Sequence, residues 1–242
     1  MNKQDFYHII LVEPAGNLNI GAVARAMDNF GFKHLHLVAP DAYSRTEAER
    51  SACWAKNILD SIQIHKTFAE ALAPMERVIG FTARHGKTRT THVAVDDWLL
   101  EQQQQPICKT ALVFGPEDNG LRAEHVELCS TLVRIPTSTE NQSLNLAQAV
   151  LIALYEISKG AFVAPKLEED APANWASVIE LEKKIDGLLQ ASGFILGPQS
   201  SPAADTLKAI FREHGLGQRE MRIVQGLFSK LLEKLGTTTY KS

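Results

Sequence analysis

The stretch Ala111–Ile157, ALVFGPEDNGLRAEHVELCSTLVRIPTSTENQSLNLAQAVLIALYEI, decides the fold. ALVFG is a short apolar run stopped by Gly-Pro, which predicts a buried strand ending at a turn. TLVRIP predicts a second strand, closed by Pro136. A polar loop, TSTENQS, then leads into an apolar helix, LNLAQAVLIALYEI. Both strands run into loops rich in Gly, Pro, Ser, Asn and Glu. Such loops set backbone donors and acceptors side by side, and in open α/β sheets the carboxyl edge of the strands is where ligands bind.

The segments before it repeat the pattern. HIILVEP (His8 to Pro14) is a near-continuous apolar run, as in a strand buried on both faces. AGNLNIG follows as a connection. AVARAMDNFGF then places Val23, Ala26, Met27 and Phe30 at helical spacing, with Gly31 as the stop. HLHLVAP (His34 to Pro40) predicts the next strand, so the chain opens β-loop-α-β, the signature of a parallel sheet. Residues 43 to 60 read as one helix with Ala48, Ala52, Ala55 and Ile58 inward, IQIHKTF as a short strand and loop, and AEALAPM as a short helix. RVIGFTA (Arg77 to Ala83) is a strand that runs into the basic loop RHGKTRTTH, and VDDWLLEQQQQ is a helix with a polar tail. His34 and His36 share one face of their strand. A metal pair there is conceivable, but polar side chains on a strand face are more often structural.

These elements predict one α/β domain over residues 1–162, a parallel sheet flanked by helices. VAPKLEEDAPAN is Pro- and acid-rich without periodicity, which makes 163–174 a linker. Residues 175–242 then carry three helical patterns, a small all-helical C-terminal appendage. It can bury little surface alone and is expected to dock on the main domain or on a partner subunit.

A chain of 242 residues suits one sizeable domain with such an addition. Its formal charge of -3 excludes a uniformly cationic coat, so any nucleic-acid contact must be a local patch. Cys53, Cys108 and Cys129 are scattered and odd in number, as expected of reduced cytosolic thiols. No apolar run is long enough to span a membrane, and the N-terminal run is too short for a signal peptide, so a cytoplasmic location is expected. GxGxxG after the first strand, GxxxxGK[ST], GxSxG and HExxH are all absent, which disfavours NAD, P-loop, hydrolase and zinc-protease chemistry. Three loops at strand ends remain: Asn17 to Arg25, Gly115 to Gly120, and Pro136 to Asn145.

Those loops lie in three blocks, NLNIGAVARA (Asn17 to Ala26), LVFGPEDNGL (Leu112 to Leu121) and IPTSTENQSLNLAQAV (Ile135 to Val150). In order and spacing they resemble the motifs of the SPOUT (SpoU–TrmD) RNA methyltransferases, TrmH branch. The layout, with a helical segment carrying ASGFI, is closest to the TrmJ-type tRNA methyltransferases. The resemblance implies a SPOUT fold with a C-terminal trefoil knot, which the residues alone could not have predicted because knots are rare. It also implies a homodimer, S-adenosyl-L-methionine bound in the knot, and methylation of a ribose 2′-hydroxyl of tRNA, at position 32 of the anticodon loop. No DNA, membrane or metal is implied.

Residue by residue, the resemblance assigns cofactor binding to Phe81, Thr82, Ala83, Gly115, Ile135, Ser143, Leu144 and Asn145. The residues themselves agree: Gly115 has no Cβ to block a close approach, and Leu112, Phe114, Ile135 and Leu144 offer apolar rims to a flat purine. The candidate catalytic set is Arg25, Asn19, Glu117, Ser143 and Asn145. Arg25, matching the family's catalytic Arg, is read as holding a phosphate and stabilising a developing 2′-alkoxide rather than as a base, because arginine stays protonated. Glu117 and Ser143 are candidates to relay or accept the proton. Arg84, Lys87 and Arg89 in the basic loop are candidate RNA-phosphate contacts. Two departures bear on substrate rather than class: Asp118-Asn119 stand where relatives often carry a basic residue, and Phe81 where a smaller polar one is expected. The alternatives are a 2′-O-methyltransferase acting on rRNA or on another tRNA position, a non-catalytic RNA-binding relative, and an unrelated nucleotide-binding α/β protein.

Overall fold

In the computed structural model, which describes residues 2–83, 92–138, 143–160, 171–195 and 201–238, the chain divides into two compact units, residues 1–165 and 166–242. The first is built on a seven-stranded sheet. Its strands are β1 (Tyr7–Val12), β2 (His34–Val38), β3 (Gln63–His65), β4 (Arg77–Phe81), β5 (His92–Ala94), β6 (Thr110–Phe114) and β7 (Thr131–Arg134). They lie in the order β3-β2-β1-β6-β4-β7-β5, and every pairing is parallel. All six residues of β1 and all five of β6 are buried, as continuous apolar runs in a doubly covered sheet require.

The order of the strands carries the functional information. Sequence direction reverses between β1 and β6, the switch point at which α/β sheets bind ligands. On the far side the chain lays down β4, crosses to the edge to form β5, returns to β6, and then inserts β7 between β4 and β5.

Helices α1 (Asn17–Phe30), α2 (Arg45–Ala52), α3 (Lys56–Asp60), α4 (Phe68–Leu72), α5 (Val95–Gln102), α6 (Ala123–Glu127) and α7 (Leu146–Lys159) flank the sheet. The sheet face bearing Ile9, Leu35, Ile79, Leu112 and Phe114 forms one core with Ile20, Met27, Trp98, Val150 and Leu154. Gly31 ends α1 in the left-handed conformation, φ 76°, as a C-terminal glycine should. Ser44 caps α2 through Glu47 N, Thr67 and Glu70 form a capping box on α4, and Lys3 Nζ donates to the carbonyls of Ile157, Ser158 and Gly160 at the end of α7.

The sequence expectations need four corrections. Asn17 to Arg25 is no loop: α1 begins at Asn17, with Gly16 as its N-cap. Residues 43 to 60 form two helices, broken at Cys53, whose φ is +54°. Here tertiary packing overrides an alanine-rich pattern that favours a continuous helix. His92–Ala94, expected as the end of the basic loop, is an edge strand on β7. The short helix α6 separates β6 from β7.

His34 and His36 belong to a row of imidazoles across β1, β2 and β3. His8 Nδ1 lies 2.9 Å from His36 Nε2, and His36 Nδ1 lies 2.9 Å from His65 Nε2. His34 stacks on His8 at 4.4 Å. The ring nitrogens satisfy one another, and among the described residues no group of His, Cys, Asp or Glu is arranged to hold a metal ion. Burial, reinforced by the neighbouring imidazoles, pushes His8 down to about 3 and His36 down to about 4. Cys108 and Cys129 are buried and outside any disulfide, and Cys53 is exposed.

The second unit contains α8 (Trp175–Ala191), α9 (Pro202–His214) and α10 (Gln218–Thr238). Trp175, Val178, Leu181 and Ile185 line the buried side of α8. Glu182, buried among them, is held by the Arg212 guanidinium, Nη2 to Oε2 at 2.8 Å. A buried carboxylate requires such a partner. No helix among the described residues is long and apolar enough to cross a membrane.

Candidate active site

A cleft of about 670 Å³ opens at the carboxyl ends of β4, β6 and β7. Its floor is aromatic. Phe81 ends β4, Phe114 ends β6, and their rings stack at 4.7 Å and 13°. Trp98 closes the stack edge-on to Phe81. Phe81, where a smaller polar residue was expected, is therefore held in the aromatic stack beneath the cleft. Val133, Ile135, Leu144, Leu146 and Ala149 supply apolar walls.

The polar side of the cleft is the loop from Gly115 to Gly120. Gly120 N donates to Pro116 O at 2.8 Å, so the loop closes on itself. A Cβ on Gly115 would lie 2.3 Å from Gly120 C and from Leu121 N. The glycine is thus required by its own loop, whose two arms touch backbone to backbone, before any ligand is considered.

Glu117 ties this loop to the rest of the site. Its Oε2 accepts from Ala15 N at 3.3 Å and its Oε1 from Asn19 Nδ2 at 2.7 Å. Asn19 Oδ1 in turn accepts from Asn145 Nδ2 at 3.1 Å. Asn145 Oδ1 caps α7, accepting from Ala147 N at 2.9 Å and Gln148 N at 3.4 Å. One hydrogen-bonded chain therefore joins residues separated by 98 and 126 positions in sequence. Beside it, Glu13 pairs with Arg122, a second link between the loop after β1 and the loop after β6.

Of the predicted cofactor residues, Phe81, Thr82, Ala83, Gly115, Ile135, Ser143 and Leu144 line the cleft. Asn145 stands just beyond them as the cap of α7. Of the predicted catalytic residues, Glu117 and Ser143 line the cleft and Asn19 and Asn145 join the hydrogen-bonded chain. Arg25 does not line it. It is exposed on α1, two turns beyond Asn19, with no acidic partner among the described residues. Leu112, expected at the rim, is fully buried within the sheet core, two residues short of the strand end where Phe114 meets the cleft. Arg84, Lys87 and Arg89 fall outside the described residues.

Val133, Leu146 and Ala149 line the cleft without having been singled out. Periodicity could have found them. Val133 is two residues before Ile135 on a strand, and Leu146 and Ala149 are one turn apart on a helix.

The cleft has the volume and the mixed lining of a small-molecule site. Its volume falls in the usual ligand range of roughly 300–1,000 Å³. It combines stacked aromatic and aliphatic surface, a turn-rich polar loop, and the carboxylates of Glu117 and Asp118, which favour a cationic group.

Comparison with known proteins follows this geometry. Residues 7–155 match the family described as SpoU rRNA Methylase. The tRNA (cytidine/uridine-2'-O-)-methyltransferase TrmJ of Klebsiella pneumoniae is 33% identical over 239 residues, covering 92% of this chain and 95% of that protein. The tRNA (cytidine-2'-O-)-methyltransferase TrmJ of Methanocaldococcus jannaschii is 37% identical over 155 residues, 62% of this chain and 66% of its own. The crystal structure of TrmJ from Z. mobilis ZM4 superposes with a TM-score of 0.80 at 31% identity, covering 93% of this chain and 98% of that one. Since the family match takes in the whole sheet and every wall of the cleft, this chain belongs to the SpoU methylase family.

Proposed function

We propose that the protein is an S-adenosyl-L-methionine-dependent tRNA ribose 2′-O-methyltransferase, acting in the anticodon loop at position 32. The observation that carries this reading is the cleft of strand-end loops with the Ala15–Glu117–Asn19–Asn145 chain at its rim. The TrmJ names of the full-length relatives support the tRNA ribose as acceptor.

Bound in the cleft, S-adenosylmethionine supplies an electrophilic methyl group on a sulfonium. Phe81, Thr82, Ala83, Gly115, Ile135, Ser143, Leu144 and Asn145 would hold the cofactor, with Phe114 beneath them as part of the apolar floor. Glu117 faces the positive charge. The cofactor would supply that methyl group to a ribose 2′-oxygen, and Glu117 or Ser143 would take the 2′-proton. Holding the two reactants in line provides much of the acceleration. Arg25 grips a phosphate of the RNA and stabilises the developing 2′-alkoxide. Asn19 and Asn145 hold the Glu117 carboxylate and the start of α7 in register.

We assign to the insertion of β7 between β4 and β5 the trefoil knot of the SPOUT class. The division of the chain is a methyltransferase domain over 1–162, a linker over 163–174, and a helical C-terminal domain over 175–242 that widens the tRNA footprint. The working form is a cytoplasmic homodimer, and Arg84, Lys87 and Arg89 add phosphate contacts.

Transfer of a tritiated methyl group to unfractionated tRNA and to ribosomal RNA, followed by mapping of the modified ribose, tests the substrate. Labelling of tRNA at position 32 is the expected result, and labelling confined to ribosomal RNA overturns it. Arg25→Ala is expected to bind the cofactor with wild-type affinity in a calorimetric titration and to lose nearly all turnover. Wild-type rates would remove Arg25 from the mechanism.

A further inference from the structure

Trp54 is 92% exposed. It is the most exposed large hydrophobic residue described and stands alone on the segment from α2 to α3. A ring in that position contributes little to folding, since hydrophobic stabilisation follows the area removed from water. Its backbone is nonetheless fixed. Ala52 and Ala55 on either side are buried at 0% and 1%, and Ala55 N donates to Ala52 O at 3.0 Å. Cys53 holds φ at +54°, a conformation uncommon for a non-glycine residue. The chain has been bent there, and the bend presents the indole to solvent.

The segment is locked to the half of α1 that carries Asn19 and Arg25. A Cβ on Gly21 would lie 1.9 Å from Ala48 O, so α1 and α2 cross backbone to backbone. Ser51 Oγ donates to Leu18 O at 2.6 Å, and Asn17 Nδ2 donates to Glu47 Oε2 at 3.0 Å. Trp54, three residues beyond Ser51, therefore follows a helix that is packed directly on α1, which carries Asn19 of the hydrogen-bonded chain.

The charges around it favour RNA over protein. Arg45 and Lys56 are neutralised by Glu49 and Asp60. Arg50, exposed on the same helix, has no acidic partner among the described residues, and neither has Arg25. A single exposed ring with an uncompensated guanidinium, Arg50, four residues before it has the chemistry that binds single-stranded nucleic acid, a base on the ring and a phosphate on the cation. A protein contact would bring several apolar residues together at its centre.

We propose that Trp54 is a stacking platform for an unpaired base of the RNA substrate, with Arg50 holding an adjacent phosphate. This rests on the RNA-methyltransferase reading above and adds a recognition element outside the cleft. Base–aromatic stacking contributes about 1–3 kcal/mol per base, which converts to roughly a 5- to 150-fold change in affinity.

The test uses the full-length protein and unfractionated tRNA. Trp98 and Trp175 are 0% and 2% exposed, so the red edge of the tryptophan emission reports Trp54. Added tRNA should quench that edge. Trp54→Ala should raise KM for tRNA about tenfold or more with kcat, cofactor affinity and molar mass by light scattering unchanged, and Trp54→Phe should restore most of the loss. Arg50→Ala should raise KM less and flatten its salt dependence. An unchanged KM in Trp54→Ala, or absence of quenching, overturns the proposal, as does loss of an oligomer in Trp54→Ala, which would make the ring a subunit contact. Quenching is read without methyl transfer, so a wild-type protein that binds tRNA but transfers no methyl group tells against the parent reading and not against the platform.

Discussion

The two halves of the sheet use polar residues in opposite ways. In the half made of β1, β2 and β3, four histidines lie across the strands and turn to one another, the two ring-nitrogen bonds each at 2.9 Å. In the half made of β4, β6 and β7, β4 and β6 end in Phe81 and Phe114 and the polar groups of the cleft lie beyond the strands, in loops that leave about 670 Å³ between them. A polar side chain inside a strand must be satisfied within the fold, whereas one past the strand end can be left for a ligand. Titratable residues are thus a poor guide to the site of this protein, and the ends of its strands are a good one.

The sharpest way to break the contrast is acid. His8 and His36 are neutral in the fold and have pKa values of about 3 and 4 there, against about 6.5 unfolded. Their folded values are depressed. The stability they allow is therefore complete above pH 6.5 and is lost as pH falls toward 4 and 3, because the unfolded chain takes up the protons. The loss should reach about 5 kcal/mol between pH 7 and pH 4.5. Asp5, Lys33 and Lys109 around His34, and Glu70 beside His65, modulate the outer rings. Urea titrations across that range should show the decline, and His8→Leu with His36→Leu should flatten it. An unchanged slope in the double variant would separate the histidine row from acid stability.

The opposite half breaks at Gly115. A methyl group there meets the Gly120–Leu121 peptide at 2.3 Å. Gly115→Ala should cost about 3 kcal/mol, the upper range for forced overpacking, and should weaken cofactor binding by more than a hundredfold in calorimetry. Asn145→Ala is smaller. It removes the cap of α7 and the link to Asn19, at about 1 kcal/mol by thermal unfolding, and should lower kcat more than it weakens cofactor binding. The smallest effect has the other sign. Cys53→Gly relieves a left-handed φ and should raise stability by about 0.5–1 kcal/mol, leaving cofactor affinity untouched. A destabilised Cys53→Gly would mean that the bend is held by contacts of the cysteine itself.

Much of this was legible in the residues. The strands of the first unit, the stop at Gly31 and the helix over Leu146–Lys159 follow from apolar runs, glycine at a left-handed cap and an asparagine cap. The cleft loops were legible as blocks, because turn residues after apolar strands are a local signal. Three things were not. The break at Cys53 lies in an alanine-rich run whose own propensity is helical, and it was decided by packing against α1. The strand His92–Ala94 is three residues long, half-buried at every position, and exists by pairing with β7. The place of Leu112 inside the core depended on both faces of β6 being covered and on the strand running two residues further before the cleft opens.

By itself, then, the sequence determined a parallel α/β sheet, the strand ends that matter and the residue types gathered in the site, since each rests on patterns within a few neighbouring residues. Only the tertiary structure decided that β7 enters between β4 and β5, that Glu117, Asn19 and Asn145 form one hydrogen-bonded chain, and that Gly115 is required by its own loop. Those are contacts between residues far apart along the chain. Their partners are chosen by the packing of the whole sheet, and no local pattern encodes them.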